Sequence, residues 1–420
     1  MNLLLKSSIV NQQSSIKISG SKSETNRLLL LKALYPNLTL ENTSNSDDSE
    51  VMAKALESLN SSNTQHPASS IQHIDIHHAG TAMRFLTSYF AIQENSQVVL
   101  TGSSRMKERP IKILVDALRQ LGAEISYEEN EGFPPIRIKG KKLMQNKVSL
   151  SANVSSQYIS ALILIAPKLE NGLELTLEGE ITSVSYIKMT LALLNEIGIE
   201  TSFENNKIQI NPKSQIPNPK SIIVESDWSS ASYFYSIVAL SKIGTEITLS
   251  SYKENSLQGD SVLAEIYKDF GIDTIFQNNS IHLRKVKSCQ LSAVSCELNN
   301  SPDIAQTIAV TCFGLGISCH LTGLHTLKIK ETDRLLALKN ELEKLGATVS
   351  VTEESLTLEP SNAIHTNIKI KTYQDHRMAM AFAPLALKTD ITIEDAEVVS
   401  KSYPAFWEDL KYIGFFISEF

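Results

Sequence analysis

Leu114-Val115-Asp116-Ala117-Leu118-Arg119-Gln120-Leu121-Gly122-Ala123 runs directly into Glu124-Ile125-Ser126-Tyr127. The first part is an amphipathic helix, Gly122 supplies its left-handed C-terminal cap, and a strand follows. The phrase returns as Leu193-Leu194-Asn195-Glu196-Ile197-Gly198-Ile199-Glu200-Thr201 and as Ile266-Tyr267-Lys268-Asp269-Phe270-Gly271-Ile272-Asp273-Thr274. It returns again as Leu342-Glu343-Lys344-Leu345-Gly346-Ala347-Thr348-Val349. The four glycines recur at intervals of about 75 residues, longer than ordinary solenoid repeats. A weaker copy closes the chain at Leu410-Lys411-Tyr412-Ile413-Gly414-Phe415-Phe416, and a still weaker one sits at residues 52–60. Each copy is a joint between a helix and a strand. The pattern therefore predicts an α/β protein of about six units, each holding short strands around a pair of helices, shared between two domains.

Working outward, two places read as crossings between domains. One is near Ser19-Gly20, after a short expected strand at Ile16 to Ile18. The other lies between Pro217 and Asp227, where prolines and polar residues flank the strand Ile222-Ile223-Val224. Asn205-Asn206 and Asn278-Asn279 read as turns, and residues 60–70 as a polar loop.

Composition limits the function. The chain has 420 residues, 42% hydrophobic and 20% charged, with a net charge of −7. An acidic chain argues against nucleic acid as a partner, so the cations that matter are focused locally. The first ten residues lack the apolar core and small-residue cleavage site of a signal peptide. No stretch approaches the length of a membrane span. The four cysteines (Cys289, Cys296, Cys312, Cys319) form no CxxC pair and no zinc-ligand spacing. Buried free thiols in a soluble, cytoplasmic protein are the expectation.

Chemistry-bearing residues gather before helices. Lys328-Ile329-Lys330-Glu331-Thr332-Asp333-Arg334 packs three cations and two carboxylates into seven residues ahead of an apolar helical pattern. Thr332 or Asp333 is the expected cap, and Lys330 and Arg334, if helical, share a face. Ser19-Gly20-Ser21-Lys22-Ser23-Glu24-Thr25-Asn26-Arg27 opens the leucine-rich helix expected from Leu28 to Leu34; its small residues let the backbone approach an anion. It lacks the spacing of a nucleotide phosphate loop. His78-Ala79-Gly80-Thr81-Ala82-Met83-Arg84 is a small-residue turn into a helix. Arg105-Met106-Lys107-Glu108-Arg109-Pro110 precedes another, with Pro110 suited to its first turn. Val154-Ser155-Ser156-Gln157-Tyr158 offers hydroxyls and an amide, for capping or for a phosphate or polyol. Glu225-Ser226-Asp227-Trp228-Ser229-Ser230 reads as a capped helix start with a hinge or structural role. Asp303, in Ser301-Pro302-Asp303-Ile304-Ala305-Gln306, reads as a cap or a base, and Asp375-His376-Arg377-Met378-Ala379-Met380 precedes a further apolar helix. Lys22, Arg27, Arg109, Lys330, Arg334 and Arg377 thus all lie near helix starts, a placement that suits a polyanionic ligand. There is no metal-ligand constellation, no Ser-His-Asp arrangement and no dinucleotide fingerprint.

In order along the chain, these stretches resemble the 5-enolpyruvylshikimate-3-phosphate synthase family of enolpyruvyl transferases. Gly20-Ser21-Lys22-Ser23, Ala79-Gly80-Thr81-Ala82-Met83-Arg84, Arg105 to Pro110, Ser155-Ser156-Gln157, Lys330 to Arg334 and Asp375 to Met380 carry the resemblance, which runs from Gly20 to Pro404. It implies a two-domain inside-out α/β barrel of six repeated units, closing on its substrates through a two-strand hinge. Residues 1–19 with 226–420 would form a discontinuous domain and 20–225 the other, with the active site in the cleft between them. It implies transfer of the enolpyruvyl group of phosphoenolpyruvate to the 5-hydroxyl of shikimate 3-phosphate, with no cofactor or metal and a monomeric enzyme. Lys22, Ser23, Arg27, Ser155, Ser156, Gln157, Ser183, Tyr186, Asp303 and Lys330 would hold shikimate 3-phosphate. Lys22, Gly80, Arg109, Gln157, Arg334, His376, Arg377 and Lys401 would hold phosphoenolpyruvate. Asp303 and Glu331 would carry protons, Asp303 at the hydroxyl and Glu331 at the methylene carbon, with Lys22 assisting.

The sequence also departs from that pattern. Ser19 stands where many members have proline, His78 replaces an asparagine, Phe85 a proline, and Val184-Ser185 a Lys-Pro. Thr326 stands where some members place a substrate-contacting asparagine, so that contact is not carried over. Phe85 follows the Gly80 segment, which suggests altered sensitivity to the inhibitor glyphosate. Three alternatives are weaker. A transferase acting on a UDP-sugar usually carries a reactive cysteine in its first domain, whereas the first cysteine here is Cys289. A catalytically silent anion-binding protein would not need Asp303, Glu331, Lys22 and Arg109 together. A kinase would need the phosphate-loop spacing.

Overall fold

The computed structural model of the chain describes every residue except 7–12, 63–70, 153–154, 180, 182–183, 214, 217, 362 and 420. Its helices are more deeply buried than its strands. Helix Gly80–Ala91 buries every residue but Thr81. Helix Trp228–Leu240 buries every residue but Ser229. Helices covered on all sides belong in a core. Strands such as Leu173–Glu178 and Lys147–Ser151 bury alternate residues, so one face of each sheet is dry and the other is wet. Helices inside and sheets outside is the arrangement that follows.

One topology recurs in five four-stranded sheets. Gln72–Asp75 runs parallel to Gln97–Thr101, which pairs antiparallel with Ile136–Lys139 and, beyond it, Glu124–Tyr127. Helix Gly80–Ala91 links the first two strands and Lys112–Gln120 leads to the hairpin. The sheets built on Lys147–Ser151 and on Ala293–Glu297 repeat this order. In the sheet of Ile368–Ile370 the place next to Ile391–Ile393 is taken by the N-terminal strand Leu3–Lys6, with Phe416–Glu419 outside it. The sixth sheet, among the described residues, is only the parallel pair Lys220–Ile223 and Leu38–Glu41. Among the described residues no strand pairing joins one sheet to the next, so the expected barrel is not closed there.

The glycines of the repeat punctuate this plan. Gly122, Gly198, Gly271, Gly346 and Gly414 all have positive φ, and each precedes the outer strand of a four-stranded sheet. At Gly271 a Cβ would also collide with the Lys287 carbonyl. Asn205-Asn206 and Asn278-Asn279 close two hairpins with both residues at positive φ, the geometry of a tight mirror-image turn.

Two connections are exchanged. In the repeated plan the first strand leads through a helix to its parallel neighbour. Gln13–Ile16 instead leads to helix Lys22–Leu34 and strand Leu38–Glu41, while Lys220–Ile223 leads to helix Trp228–Leu240 and strand Glu246–Ser250. Gln13–Ile16 then pairs with Glu246–Ser250, completing the fifth four-stranded sheet. The chain consequently forms two compact units, a terminal one (Met1–Ser21 with Glu225–Phe420) and a middle one (Lys22–Val224). The boundaries differ by one or two residues from those expected. Gly20 bridges Ser226 and Ser21 N donates to Glu225 O at 2.7 Å, which ties both to the terminal unit. The expected strand at Ile16 to Ile18 ends at Ile16, and Ser226 Oγ holds the Ile18 carbonyl at 2.6 Å instead.

Among the described residues no helix is long and apolar enough to cross a membrane. The cysteines are free; Cys312 and Cys319 are buried, but Cys289 and Cys296 are only half-buried.

Candidate active site

In the terminal unit one guanidinium gathers three carboxylates. Arg334 opens helix Arg334–Lys344, which is capped by Asp333, not Thr332, through a 3.1 Å bond from Leu336 N. Its side chain is almost fully buried. Nε donates to Asp375 Oδ2 at 2.6 Å, Nη1 to Asp303 Oδ1 at 2.9 Å and Nη2 to Glu331 Oε2 at 2.8 Å. Lys330 precedes the helix, so it does not share a helical face with Arg334; both nevertheless reach Asp303 Oδ1, Lys330 Nζ at 3.6 Å. Lys401 Nζ lies 2.9 Å from Glu331 Oε1. Arg377 Nη2 lies 3.2 Å from Asp303 Oδ2, and Nη1 donates to the Asp303 carbonyl at 3.2 Å.

Helix starts aim these groups. Asp375 is fully buried and caps helix His376–Phe382, accepting from Arg377 N at 2.9 Å while it holds Arg334. His376, also buried, has Nδ1 3.7 Å from Asp375 Oδ1. Asp303 sits in the turn Pro302–Ile304 ahead of helix Ala305–Leu315; of its two sequence readings, N-cap and base, the first does not hold, since the N-cap residues are Ser301 for the turn and Ile304 for the helix. Burial works to raise the Asp303 pKa, but Arg377, Lys330 and Arg334 outweigh it and hold the carboxyl well below the usual range. Burial likewise works against the charge on Arg334. Asp375, Glu331 and Asp303 reverse that and raise it. Arg377 follows the same logic, with burial opposed chiefly by Asp303.

The middle unit carries a second group. Helix Lys22–Leu34 begins at Lys22, six residues earlier than expected, so Lys22, Ser23 and Arg27 belong to its first two turns. Lys22 Nζ is 3.5 Å from Asp48 Oδ2, and His78 Nε2 is 3.9 Å from Asp48 Oδ1. A cavity of about 270 Å³ opens there, lined by Asp48, Lys54, His77, His78 and Ala79 among others.

Arg27 is buried among helices. Its hydrogen bonds go to neutral acceptors: Thr190 Oγ1 at 2.7 Å, Ser160 Oγ at 3.1 Å and the Ser23 carbonyl at 2.8 Å. Its guanidinium lies 5.4 Å from the Phe85 ring centroid and 5.7 Å from that of Tyr186. Burial lowers its pKa to about 10, against weaker opposition from Tyr186 and Glu24. Phe85 is itself fully buried, so its ring serves Arg27 rather than an open surface.

Gly80 and Arg109 touch. A Cβ on Gly80 would stand 2.9 Å from Arg109 Cζ and closer still to Nη1, so the glycine leaves the space the guanidinium fills. Arg84 fastens this pair, donating to the Gly80 carbonyl at 3.0 Å and the Pro110 carbonyl at 3.1 Å, 5.7 Å from the Tyr158 ring. Burial and the neighbouring Arg109 lower its pKa to about 10. Pro110 lies before the helix Lys112–Gln120 and its cap Ile111, not in the first turn. Ser155 caps helix Ser156–Ile165, Ser156 is buried, and Gln157 Nε2 donates to Thr81 Oγ1 at 3.0 Å. Ser183 and Val154 lie outside the described residues.

Several participants were not singled out from sequence. The sequence marks Asp375 only as the start of a motif, although an aspartate before an apolar helix is the signature of a cap. Asp48 hides in Ser46-Asp47-Asp48-Ser49, which reads as an ordinary helix start. Asp260, which meets Arg377 through the Ser229 hydroxyl, gives no local signal.

Comparison with known proteins sets these clusters in a family. The family model described as EPSP synthase (3-phosphoshikimate 1-carboxyvinyltransferase) matches residues 7–410. The chain is similar to the 3-phosphoshikimate 1-carboxyvinyltransferase of Bacteroides fragilis, with 44% identity over 408 residues and 96% of each chain covered. It is 35% identical to that of Haemophilus influenzae over 424 residues, again covering 96% of each. Its fold is similar to the solved EPSP synthase of Acinetobacter baumannii, at a TM-score of 0.82 with 21% identity and all of both chains covered. It also resembles the enolpyruvyl transferase NikO of Streptomyces tendae, at 0.76 with 13% identity, covering 99% of this chain and 98% of that one.

Proposed function

The chain belongs to the EPSP synthase family and carries out enolpyruvyl transfer in the shikimate pathway, and from that premise we propose how its residues divide the reaction. The enolpyruvyl group of phosphoenolpyruvate moves to the 5-hydroxyl of shikimate 3-phosphate, and phosphate leaves. The hydroxyl loses a proton while the methylene carbon gains one, giving a tetrahedral ketal that still bears the phosphate. On collapse the methyl carbon gives up a proton, the bond from the ketal carbon to the phosphate oxygen breaks, and the departing phosphate takes up a proton.

The observation that carries the assignment is the arrangement of Arg334, Arg377, Lys330 and Lys401 around Asp303 and Glu331. Cations poised beside carboxylates suit two anionic substrates and two proton transfers. Asp303 serves the hydroxyl and Glu331 the methylene carbon, with Lys22 assisting. Lys22, Ser23, Arg27, Ser155, Ser156, Gln157, Ser183, Tyr186, Asp303 and Lys330 hold shikimate 3-phosphate. Lys22, Gly80, Arg109, Gln157, Arg334, His376, Arg377 and Lys401 hold phosphoenolpyruvate. Residues of both units thus serve one reaction, and the enzyme works as a cytoplasmic monomer. Sedimentation at assay concentration tests the monomer.

Phosphate release tests the assignment. It is expected with both substrates, not with either alone, and is lost in Lys22→Ala. Release with a UDP-sugar acceptor instead would transfer the reading to that class of enolpyruvyl transferase. Binding of both substrates without turnover would leave a silent binding protein.

Two substitutions separate the substrate subsites. Gly80→Ala pushes only the far end of a flexible side chain, so the melting temperature should hold. Displacing Arg109 should raise KM for phosphoenolpyruvate roughly tenfold or more, the worth of one charge-assisted hydrogen bond. An unchanged KM would remove Arg109 from that subsite. Phe85→Leu takes one aromatic face from Arg27 and should raise KM for shikimate 3-phosphate by roughly 2- to 10-fold, within the range of a buried cation–π contact. Glyphosate sensitivity then differs from that of Phe85→Pro through packing around Arg27; equal inhibition constants would refute it.

A further inference from the structure

Arg377 faces a second buried carboxylate that the proton transfers do not use. Asp260 lies in the turn Gly259–Val262 and is 6% exposed. The Ser229 hydroxyl donates to Asp260 Oδ2, and Ser229 Oγ in turn accepts from Arg377 Nη2 at 3.2 Å. The same nitrogen lies 3.2 Å from Asp303 Oδ2. Arg377 is therefore held between two carboxylates, one directly and one through a hydroxyl. Ser229 is also the one residue of helix Trp228–Leu240 that is not buried, so the helix presents it on the site side while its other faces are in the core.

We propose that Asp260, acting through Ser229, is a positioning residue that couples anion binding at Arg377 to uptake of a proton. While Asp260 is ionised it shares the charge of Arg377 with Asp303. An incoming carboxylate or phosphate group at Arg377 places a third negative charge on the same guanidinium. The least costly response in a buried site is to neutralise the carboxylate farthest from the chemistry. Burial and the proximity of Asp303 already raise Asp260 to about 7, against Arg377 and Ser229, which lower it; Asp227 adds to the rise. Asp303, Arg377 and Asp227 are thus the charged groups that face it. A further anion moves its pKa in the same upward direction. Binding then draws a proton from solvent, and affinity for the anion falls as pH rises through and above neutrality.

This inference rests on Arg377 holding phosphoenolpyruvate, and the experiment separates the two. KM for phosphoenolpyruvate is measured from pH 5.5 to 9, at saturating shikimate 3-phosphate, in the native enzyme and in Asp260→Asn, Ser229→Ala and Arg377→Ala. Asparagine keeps an acceptor for Ser229 but cannot titrate. At pH 6 native and Asp260→Asn should agree; at pH 8.5 the variant should bind roughly 5-fold more tightly, a coupling of the ordinary size. Taking the difference between the two cancels the ionisation of the substrate itself. Ser229→Ala, which cuts the bridge, should flatten the pH dependence even if the asparagine variant folds poorly. Parallel native and Asp260→Asn profiles, with Arg377→Ala still weakening binding, overturn the inference. An unchanged KM in Arg377→Ala overturns the assignment of Arg377 instead.

Discussion

Arg334→Ala is expected to destabilise the protein by roughly 3–5 kcal/mol and to abolish phosphate release, since removing one partner of a buried ion pair leaves the other charge uncompensated. Here one side chain compensates three. Asp375 is fully buried and receives two bonds from Arg334, Nε at 2.6 Å and Nη2 at 3.4 Å. Asp303 retains Arg377 and Lys330, and Glu331 retains Lys401, so the damage concentrates at Asp375. That residue also caps the helix carrying His376 and Arg377. Losing Arg334 therefore loosens the start of a second helix and displaces a second cation. Arg334→Lys is the informative control. It keeps the charge, but a single ammonium cannot occupy three carboxylates in different directions, so part of the stability and little of the activity should return. The check is the urea midpoint at unchanged slope, with phosphate release on the same preparations. A loss below about 1 kcal/mol would mean that Asp375 finds another partner or takes up a proton at small cost.

Why the sequence announced some of this and not the rest is a question of range. The repeat was legible because its mark is local: a glycine that must adopt positive φ between a helix and a strand, as at Gly122 and Gly346. The hairpin turns were legible for the same reason. The exchanged connections were visible only as two suspicious stretches, because what fixes them is pairing across more than two hundred residues, Gln13–Ile16 with Glu246–Ser250. Among the described residues the sixth sheet has no outer hairpin, and the sequence offers there only a faded copy of the repeat at residues 52–60.

The candidate site divides along the same line. Lys330, Glu331 and Arg334 stand out as a charge run, and Asp375 to Arg377 as a polar start to an apolar helix. Their convergence on Asp303 cannot be read from spacing, since Arg334, Asp375 and Asp303 come from three separate helix starts. Helix starts nevertheless mark where these charged side chains sit. The first turn of a helix leaves backbone N–H groups without an intrahelical partner, so polar side chains and anions gather there. What no local rule supplies is the partner. Arg27 reads as one more cation at a helix start, yet it is buried with its hydrogen bonds on hydroxyls and a carbonyl.

The carboxylates Asp303 and Glu331 are expected to give opposite isotopic results when each is neutralised. In the ligand-free protein Asp303 is a poor base, because Arg377, Lys330 and Arg334 hold its proton affinity far below neutrality. On the proposed assignment substrate anions compete for those cations; as phosphate and carboxylate groups draw them away, the proton affinity of Asp303 should rise, so that binding itself would prepare the base. Asp303→Asn should therefore lower kcat by roughly 10²–10⁴, the usual worth of general acid–base catalysis, while KM for either substrate holds or falls, since the cations lose a competitor. Glu331 faces Lys401 and Arg334. Glu331→Gln should lower kcat by a similar factor and, in deuterated solvent, stop entry of deuterium at the methylene carbon during single turnover. Asp303→Asn should slow addition without preventing deuterium from reaching any ketal that does form. Deuterium entering in Glu331→Gln but not in Asp303→Asn would exchange the two roles and leave the pairing of cations with carboxylates as the common requirement.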